Sequence, residues 1–251
     1  MQFLKAAEVK LRRLRDEYIS PRKYQGDAVS CPVCKQGFSK FLPAGTGERA
    51  RPGAVCPGCR ARERDRLTWL FLEQRMDKLL TRHMQFLHIA PEPRLSEFFE
   101  REIGEGYITA DLMRKDVMVR LDVQDMQYPN ETMDAVYCSH VFQDVPDDTA
   151  AIAECFRVLR PGGWGLLNVP LFADRTTESQ TPGNERASWD NRPDEHVRNY
   201  GPDYSERLQA AGFEIEVSDP QLIEPNAERR KRFGIDGPRT GYIHFVRRPR
   251  R

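Results

Sequence analysis

Residues 122–169 read Asp122-Val-Gln-Asp-Met-Gln-Tyr-Pro-Asn-Glu-Thr-Met-Asp134, then Ala135-Val-Tyr-Cys-Ser-His140-Val-Phe-Gln-Asp144. A helical stretch follows, ending Arg157-Val-Leu-Arg-Pro-Gly-Gly163, before Trp164-Gly-Leu-Leu-Asn-Val169. Short apolar runs at 135–138 and 164–169 flank helix-like periodicity at 149–159, so the stretch reads as strand, helix, strand. Working outward, similar apolar runs fall at 86–90, 107–111, 117–121, 213–217 and 242–246, with helical stretches at 95–102 and 204–211. This alternation predicts an α/β domain built on a mainly parallel seven-stranded sheet with helices on both faces. Such sheets bind ligands at the carboxyl ends of their strands. The polar loop at 171–200 is long for a connection and is a candidate substrate lid.

Upstream the pattern is different. Cys31-Pro-Val-Cys34 and Cys56-Pro-Gly-Cys59 are separated by 21 residues. Two such pairs match a four-thiolate zinc site, in which each pair forms a knuckle presenting two sulfurs. Metal binding contributes the folding free energy that so short a segment lacks. Four thiolates fill a tetrahedron, so a structural zinc on Cys31, Cys34, Cys56 and Cys59 is expected, not a catalytic one. Cys138 and Cys155 lie far downstream, outside this pattern.

The 251 residues carry 39 Lys and Arg against 38 Asp and Glu, a formal +1, but the charge is unevenly placed. Residues 1–66 hold 15 basic and 7 acidic residues, a formal +8, and the remainder is a formal −7. Four thiolates with one Zn²⁺ bring the front nearer to +6. The expected divisions are an N-terminal helical segment at 1–28, a zinc ribbon at 29–66, a connecting helix at 67–83 and the α/β domain at 84–251. The run Arg60-Ala-Arg-Glu-Arg-Asp-Arg66 reads as a solvated helix face with intrahelical ion pairs, with phosphate contact as the alternative. No apolar stretch approaches a membrane span, and the polar start is unlike a secretory signal. A cytoplasmic location without membrane partners is the expectation.

The ordered match over about 84–219 resembles the class I S-adenosylmethionine-dependent methyltransferases, in particular their small-molecule-like branch. The resemblance implies a Rossmann-like methyltransferase fold and S-adenosylmethionine as cofactor. It places Asp111, at the end of the second strand, on the ribose hydroxyls. Asp122 then accepts from the adenine amine, with the backbone of Val123 at the ring edge and Asp125 as an alternative. Read simply as residues, Asp111 and Asp122 equally suit strand ends or caps.

After the first strand the family carries an acid and then glycines. Here the text is Leu87-His88-Ile-Ala90-Pro91-Glu92-Pro93-Arg94. His88 stands at the acid's place, and Ala90, Glu92 and Arg94 fill the glycine register. Glu92 is a candidate contact for the cofactor's ammonium or sulfonium side, and surface placement on a remodelled turn is the alternative.

The resemblance puts Ser139 and His140 along the methyl-transfer face. Gln143-Asp144 stands where the family often has Glu-His, a change that removes one candidate base. His140 reads as a base or as a structural histidine. In Asp194-Glu-His196-Val-Arg198-Asn-Tyr200, His196 is the candidate general base or orienting donor, Arg198 the grip on an anionic group and Tyr200 the pocket closure. Pinning of the lid is the alternative for this segment.

Three functions follow. The first is methyl transfer to an O, N or C nucleophile of a small-molecule or carbohydrate-like acceptor. The second is RNA methylation, with the basic ribbon on phosphates. The third is a non-catalytic zinc-binding scaffold with a degenerate cofactor fold.

Overall fold

The structure, a computed structural model, describes residues 20–45, 51–178 and 196–250. The chain divides into two units. One comprises the described residues up to Gln74 with Pro220–Thr240; the other comprises Arg75–Asp219 and the chain from Gly241 onward.

In the first unit, α1 (Ser20–Lys23) leads into β1 (Gln25–Ser30), which pairs antiparallel with β2 (Gly37–Phe38). Residues 25–28 are therefore strand, where a helical segment was expected; residues 1–19 of that segment lie outside the described residues. β3 (Leu42–Ala44) pairs antiparallel with β4 (Arg51–Val55). α2 (Glu63–Glu73) follows, its first turn capped by Asp65, which accepts the Arg62 amide at 2.8 Å. Its buried Leu67, Leu70 and Phe71 follow helical spacing.

The arginine run is not a solvated face. Arg66 is wholly buried and donates to the carbonyls of Gly53, Ala54, Ala61, Phe233 and Gly234, at 2.7–3.3 Å. Glu63 and Asp65 are buried as well. Two of those carbonyls explain why residues 220–240, expected within 84–251, pack with the ribbon instead. Gly234 ends helix Ala227–Phe233 at φ 61°, and a Cβ there would lie 2.7 Å from the Phe41 ring. The expected connecting helix at 67–83 is divided, 67–74 belonging to this unit and 75–83 to the other.

The second unit opens with α3 (Met76–Leu79) and β5 (Phe86–Ile89), all four residues of that strand being buried. α4 (Pro93–Ile103) starts with proline at its first position, where the missing N–H costs nothing. It buries Leu95, Phe98, Phe99 and Ile103, each contributing about 1.5–3 kcal/mol if burial is complete. β6 (Tyr107–Asp111), β7 (Val119–Arg120) and β8 (Met133–Ser139) follow. Then come α5 (Asp148–Val158), β9 (Leu159–Asn168), β10 (Thr177–Glu178) and β11 (Arg198–Asn199). α6 (Tyr204–Ala210), β12 (Glu214–Ser218) and β13 (Ile243–Arg247) complete the unit.

Seven of these strands form one sheet in the order β12-β13-β9-β8-β5-β6-β7. All pairings are parallel except those of β13, which lies antiparallel between β12 and β9. All seven sequence-derived strands are present, with ends shifted by a few residues. Side chains alternate across the sheet. Leu87, Ile89, Val136 and Cys138 join α5 residues Ile152 and Cys155 in the main core. Phe86, His88, Tyr107 and Tyr137 turn to the opposite face, around Phe99 of α4. The chain moves from β5 outward to β7, then returns to place β8 on the other side of β5. In sheets of this kind such a reversal marks the place of the ligand crevice, here the carboxyl ends of β5 and β8. Among the described residues, no helix is long and apolar enough to cross a membrane.

Candidate functional site

Two centres deserve separate construction, beginning with the sulfurs. After each cysteine pair the chain turns through a left-handed residue, Lys35 at φ 58° and Arg60 at φ 66°. The Lys35 amide reaches the Cys31 carbonyl at 2.9 Å, and the Arg60 amide reaches the Cys56 carbonyl at 3.1 Å. The two knuckles thus repeat one geometry. All four Sγ atoms lie within 4.8 Å of one another, with Cys31–Cys59 at 3.6 Å and Cys34–Cys56 at 3.8 Å. A tetrahedron with Zn–S bonds of about 2.3 Å places its sulfurs about 3.8 Å apart. The donor set therefore fits zinc in number, chemistry and spacing.

The second centre lies at the sheet reversal. Two non-glycine residues there are left-handed: Ala90, just past β5, at φ 53°, and His140, just past β8, at φ 57°. Such backbone is costly for residues with a Cβ and gathers at functional sites. Asp111 ends β6 at 8% exposure, and its Oδ1 accepts the amides of Met113 and Arg114 at 2.7 and 2.9 Å. Its Oδ2 has no partner among the described residues. Leu112 and Met113 beside it are exposed. Asp122 accepts the Gln124 amide at 2.9 Å and its side-chain amide at 3.1 Å, while Val123 is buried. Both acids therefore also cap their own turns. Asp125 is exposed.

His88 does not face the crevice. It is fully buried among Phe99, Tyr107 and Tyr137, which corrects its expected contact with cofactor. Its Nδ1 meets the Tyr107 hydroxyl at 2.7 Å and its Nε2 meets Glu92 Oε2 at 3.0 Å. Tyr137 donates to the other oxygen, Oε1, at 3.5 Å. Glu92 has no Lys or Arg ion-pair partner among the described residues. Arg94 pairs instead with Glu97 at 2.5 Å. A nearly buried carboxylate without a cation, one open oxygen on Asp111 and an exposed apolar pair suit a ligand that joins a cation, a diol and an aromatic base. The residues fit S-adenosylmethionine.

Around β8, Ser139 is buried and the His140 amide donates to the Asn168 carbonyl at 2.8 Å. His196 is 6% exposed, stacks on Phe172 and meets Asp144 Oδ1 through Nδ1 at 2.8 Å. Gln143 donates to Asp144 Oδ2 at 2.7 Å. His196 Nε2 is buried without a partner among the described residues. An imidazole held this way offers a lone pair to an acceptor's proton. Asp144 is the residue that sequence reading missed, because Gln143-Asp144 read as the loss of a base and its partner is 52 positions away.

The expected roles of Arg198 and Tyr200 need correction. Arg198 is 4% exposed and donates to the carbonyls of Phe142, Val145 and Pro146 and to Glu178. Burial alone would lower its pKa, but Glu178, Tyr200 and Asp148 outweigh that and hold it up. These acceptors engage the guanidinium from within the protein. Tyr200 is fully buried, donates to Asp148 at 2.6 Å, and has its phenol pushed up chiefly by burial. Together with β10–β11 they pin the two described ends of the 171–200 loop. The expected Asp194, and the middle of the candidate lid at 179–195, lie outside the described residues.

A family model described as a methyltransferase domain matches residues 77–167. A curated protein of Mycolicibacterium smegmatis, named "Probable S-adenosylmethionine-dependent methyltransferase/", is 27% identical over 144 residues, 48% of this chain. The chain spans about half of that relative, 52% of its length. An S-adenosylmethionine-dependent methyltransferase from Mesorhizobium loti superposes with a TM-score of 0.51 at 15% identity, covering 72% of this chain and 98% of the other. By sheet order, by its single antiparallel strand and by this superposition, the second unit has the fold of the class I S-adenosylmethionine-dependent methyltransferases.

Proposed function

We propose that the chain is an S-adenosylmethionine-dependent methyltransferase acting on an O, N or C nucleophile of a small-molecule or carbohydrate-like acceptor. The observation that carries this reading is the acid set at the sheet reversal. Asp111 and Glu92 stand beside two left-handed strand ends, within the stretch that matches the methyltransferase domain model. The bound cofactor would supply a methyl group on a sulfonium, open to in-line displacement. Asp111 would hold the ribose hydroxyls, and Asp122 with Val123 the adenine edge. His196, oriented by Asp144, would take the acceptor's proton at Nε2. His140 and Ser139 would border the transfer face. Positioning contributes much of the rate in such a displacement, so one proton acceptor suffices. Zinc on the four cysteines is structural in this reading.

Calorimetric titration with S-adenosylmethionine and its demethylated product tests the proposal. Micromolar binding, abolished in Asp111→Ala and Asp122→Ala, is the expected result. No heat in zinc-loaded wild type would favour the non-catalytic scaffold.

One observation favours RNA as a second reading. The described part of the first unit carries fourteen Lys and Arg against seven Asp and Glu, nearer +5 than +7 once a zinc tetrathiolate is counted. Helix Ala227–Phe233 adds Arg229, Arg230, Lys231 and Arg232 to it. A salt-dependent gel shift weakened by neutralising Arg229, Lys231 and Arg232 would support RNA. No shift at low salt would exclude it.

A further inference from the structure

We infer that Glu92 is the residue that recognises the cationic amino-acid end of the cofactor, with His88 as the positioning residue that aims its carboxylate. This rests on the reading of the crevice as an S-adenosylmethionine site.

Glu92 immediately precedes α4, yet its side chain makes no cap on that helix. The carboxylate turns instead toward the sheet, where Ala90 in its left-handed conformation bends the chain past β5. The side chain is only 13% exposed. Taking a carboxylate out of water costs several kcal/mol unless charge or donors compensate. Among the described residues, its hydrogen bonds come from the His88 ring at Oε2 and the Tyr137 hydroxyl at Oε1. Arg114 interacts with Glu92 electrostatically, but its hydrogen bonds go to Asp116 and to the Pro91 carbonyl. A negative group so placed, with no protein cation paired to it, is matched by a cationic ligand.

The tautomer of His88 follows from its surroundings. The Glu92 carboxylate at Nε2 can only accept, which leaves Nδ1 as the acceptor for the Tyr107 hydroxyl. The remaining ring proton is then on Nε2, where it donates to Glu92 Oε2. Phe99 lies edge-on to the imidazole and Tyr137 packs against it at 4.7 Å, so the ring cannot readily turn away. Tyr107, His88 and Glu92 thus form a chain of hydrogen bonds ending on the carboxylate.

The test is calorimetric titration of the zinc-loaded chain with three ligands. S-adenosylmethionine and S-adenosylhomocysteine carry the ammonium; 5′-methylthioadenosine keeps the nucleoside and lacks the amino-acid end. Glu92→Gln should weaken the first two by about 10- to 100-fold, the range for a charge-assisted hydrogen bond, and leave the third within about twofold. Glu92→Asp, which keeps the charge but draws it back, should show a smaller loss of the same kind. His88→Phe should also weaken the ammonium-bearing ligands selectively, because a ring without a donor fills the space but releases the carboxylate. Thermal melts of each variant check that it is folded. Equal binding by Glu92→Gln and wild type, or a loss shared equally by all three ligands, would overturn the inference while leaving the site reading standing. A wild type that binds none of the three overturns both.

Discussion

His196 Nδ1 lies 2.8 Å from Asp144 Oδ1, joining the end of the candidate lid to the short helical turn after β8. Gln143 holds the second carboxylate oxygen, and Phe172 stacks on the imidazole from the side. One ring nitrogen is committed to the carboxylate, and the other is buried without a partner among the described residues.

The first prediction concerns that pair. Nitrogen-15 spectra of the histidines should show His196 protonated at Nδ1 and bare at Nε2. Asp144→Asn should mix the tautomers, with a stability loss of about 1 kcal/mol from the disturbed, half-exposed hydrogen bonds. His196→Ala should leave cofactor affinity intact. A His196 signal unchanged by Asp144→Asn would remove the orienting role.

A second prediction concerns the ribbon. The purified chain should hold one zinc per molecule, released by a thiol-specific mercurial. Replacing Cys31 or Cys59 with Ser should lower zinc content and unfold the first unit, because metal binding is coupled to folding in such modules. A fully reduced, metal-free chain with unchanged near-ultraviolet circular dichroism would contradict a structural zinc.

Third, Arg198 should behave as an anchor. Arg198→Ala leaves three carbonyls without their donor and Asp148 and Glu178 with Arg207 alone, and should cost about 1–3 kcal/mol. Arg198→Lys should rescue little, since an ammonium cannot span acceptors arranged for a planar fork. Urea denaturation measures both. A near-neutral Arg198→Ala would restore the anion-gripping role.

Fourth, His244 should make the protein acid-sensitive. Burial lowers its pKa from 6.5 to about 4, and its Nδ1 has no partner among the described residues. The unfolded chain then binds more protons than the native one between those values. This stability is present above pH 6.5 and is lost as the pH falls toward 4, by about 1–3 kcal/mol in all. Urea midpoints across that window should fall in wild type and fall less in His244→Phe. Parallel curves would count against the assignment.

Local pattern was enough to reveal the strands, because a parallel sheet buried on both faces needs continuous apolar runs, such as Phe86–Ile89 and Met133–Ser139. The zinc knuckles were legible for a similar reason: two sulfurs per turn is a local requirement. Asp111 and Asp122 could be located by register at strand ends. Their second task, capping their own turns, required coordinates to see.

What the sequence by itself determined was the element order, the seven-stranded α/β architecture and the cysteine quartet. Each depends on spacing along a few residues. The tertiary structure alone decided which charged groups are spent inside the protein and which are left for ligands. Arg66 and Arg198 read as surface or substrate-facing cations, yet each serves carbonyls brought together from distant segments. His88 stood in the register of a cofactor acid, and pleating turned it to the aromatic face, where it holds Glu92. His196 acquired its partner only when the chain brought it back to Asp144. A guanidinium, carboxylate or imidazole takes its role from its nearest donors and acceptors, and those neighbours are assembled only by folding.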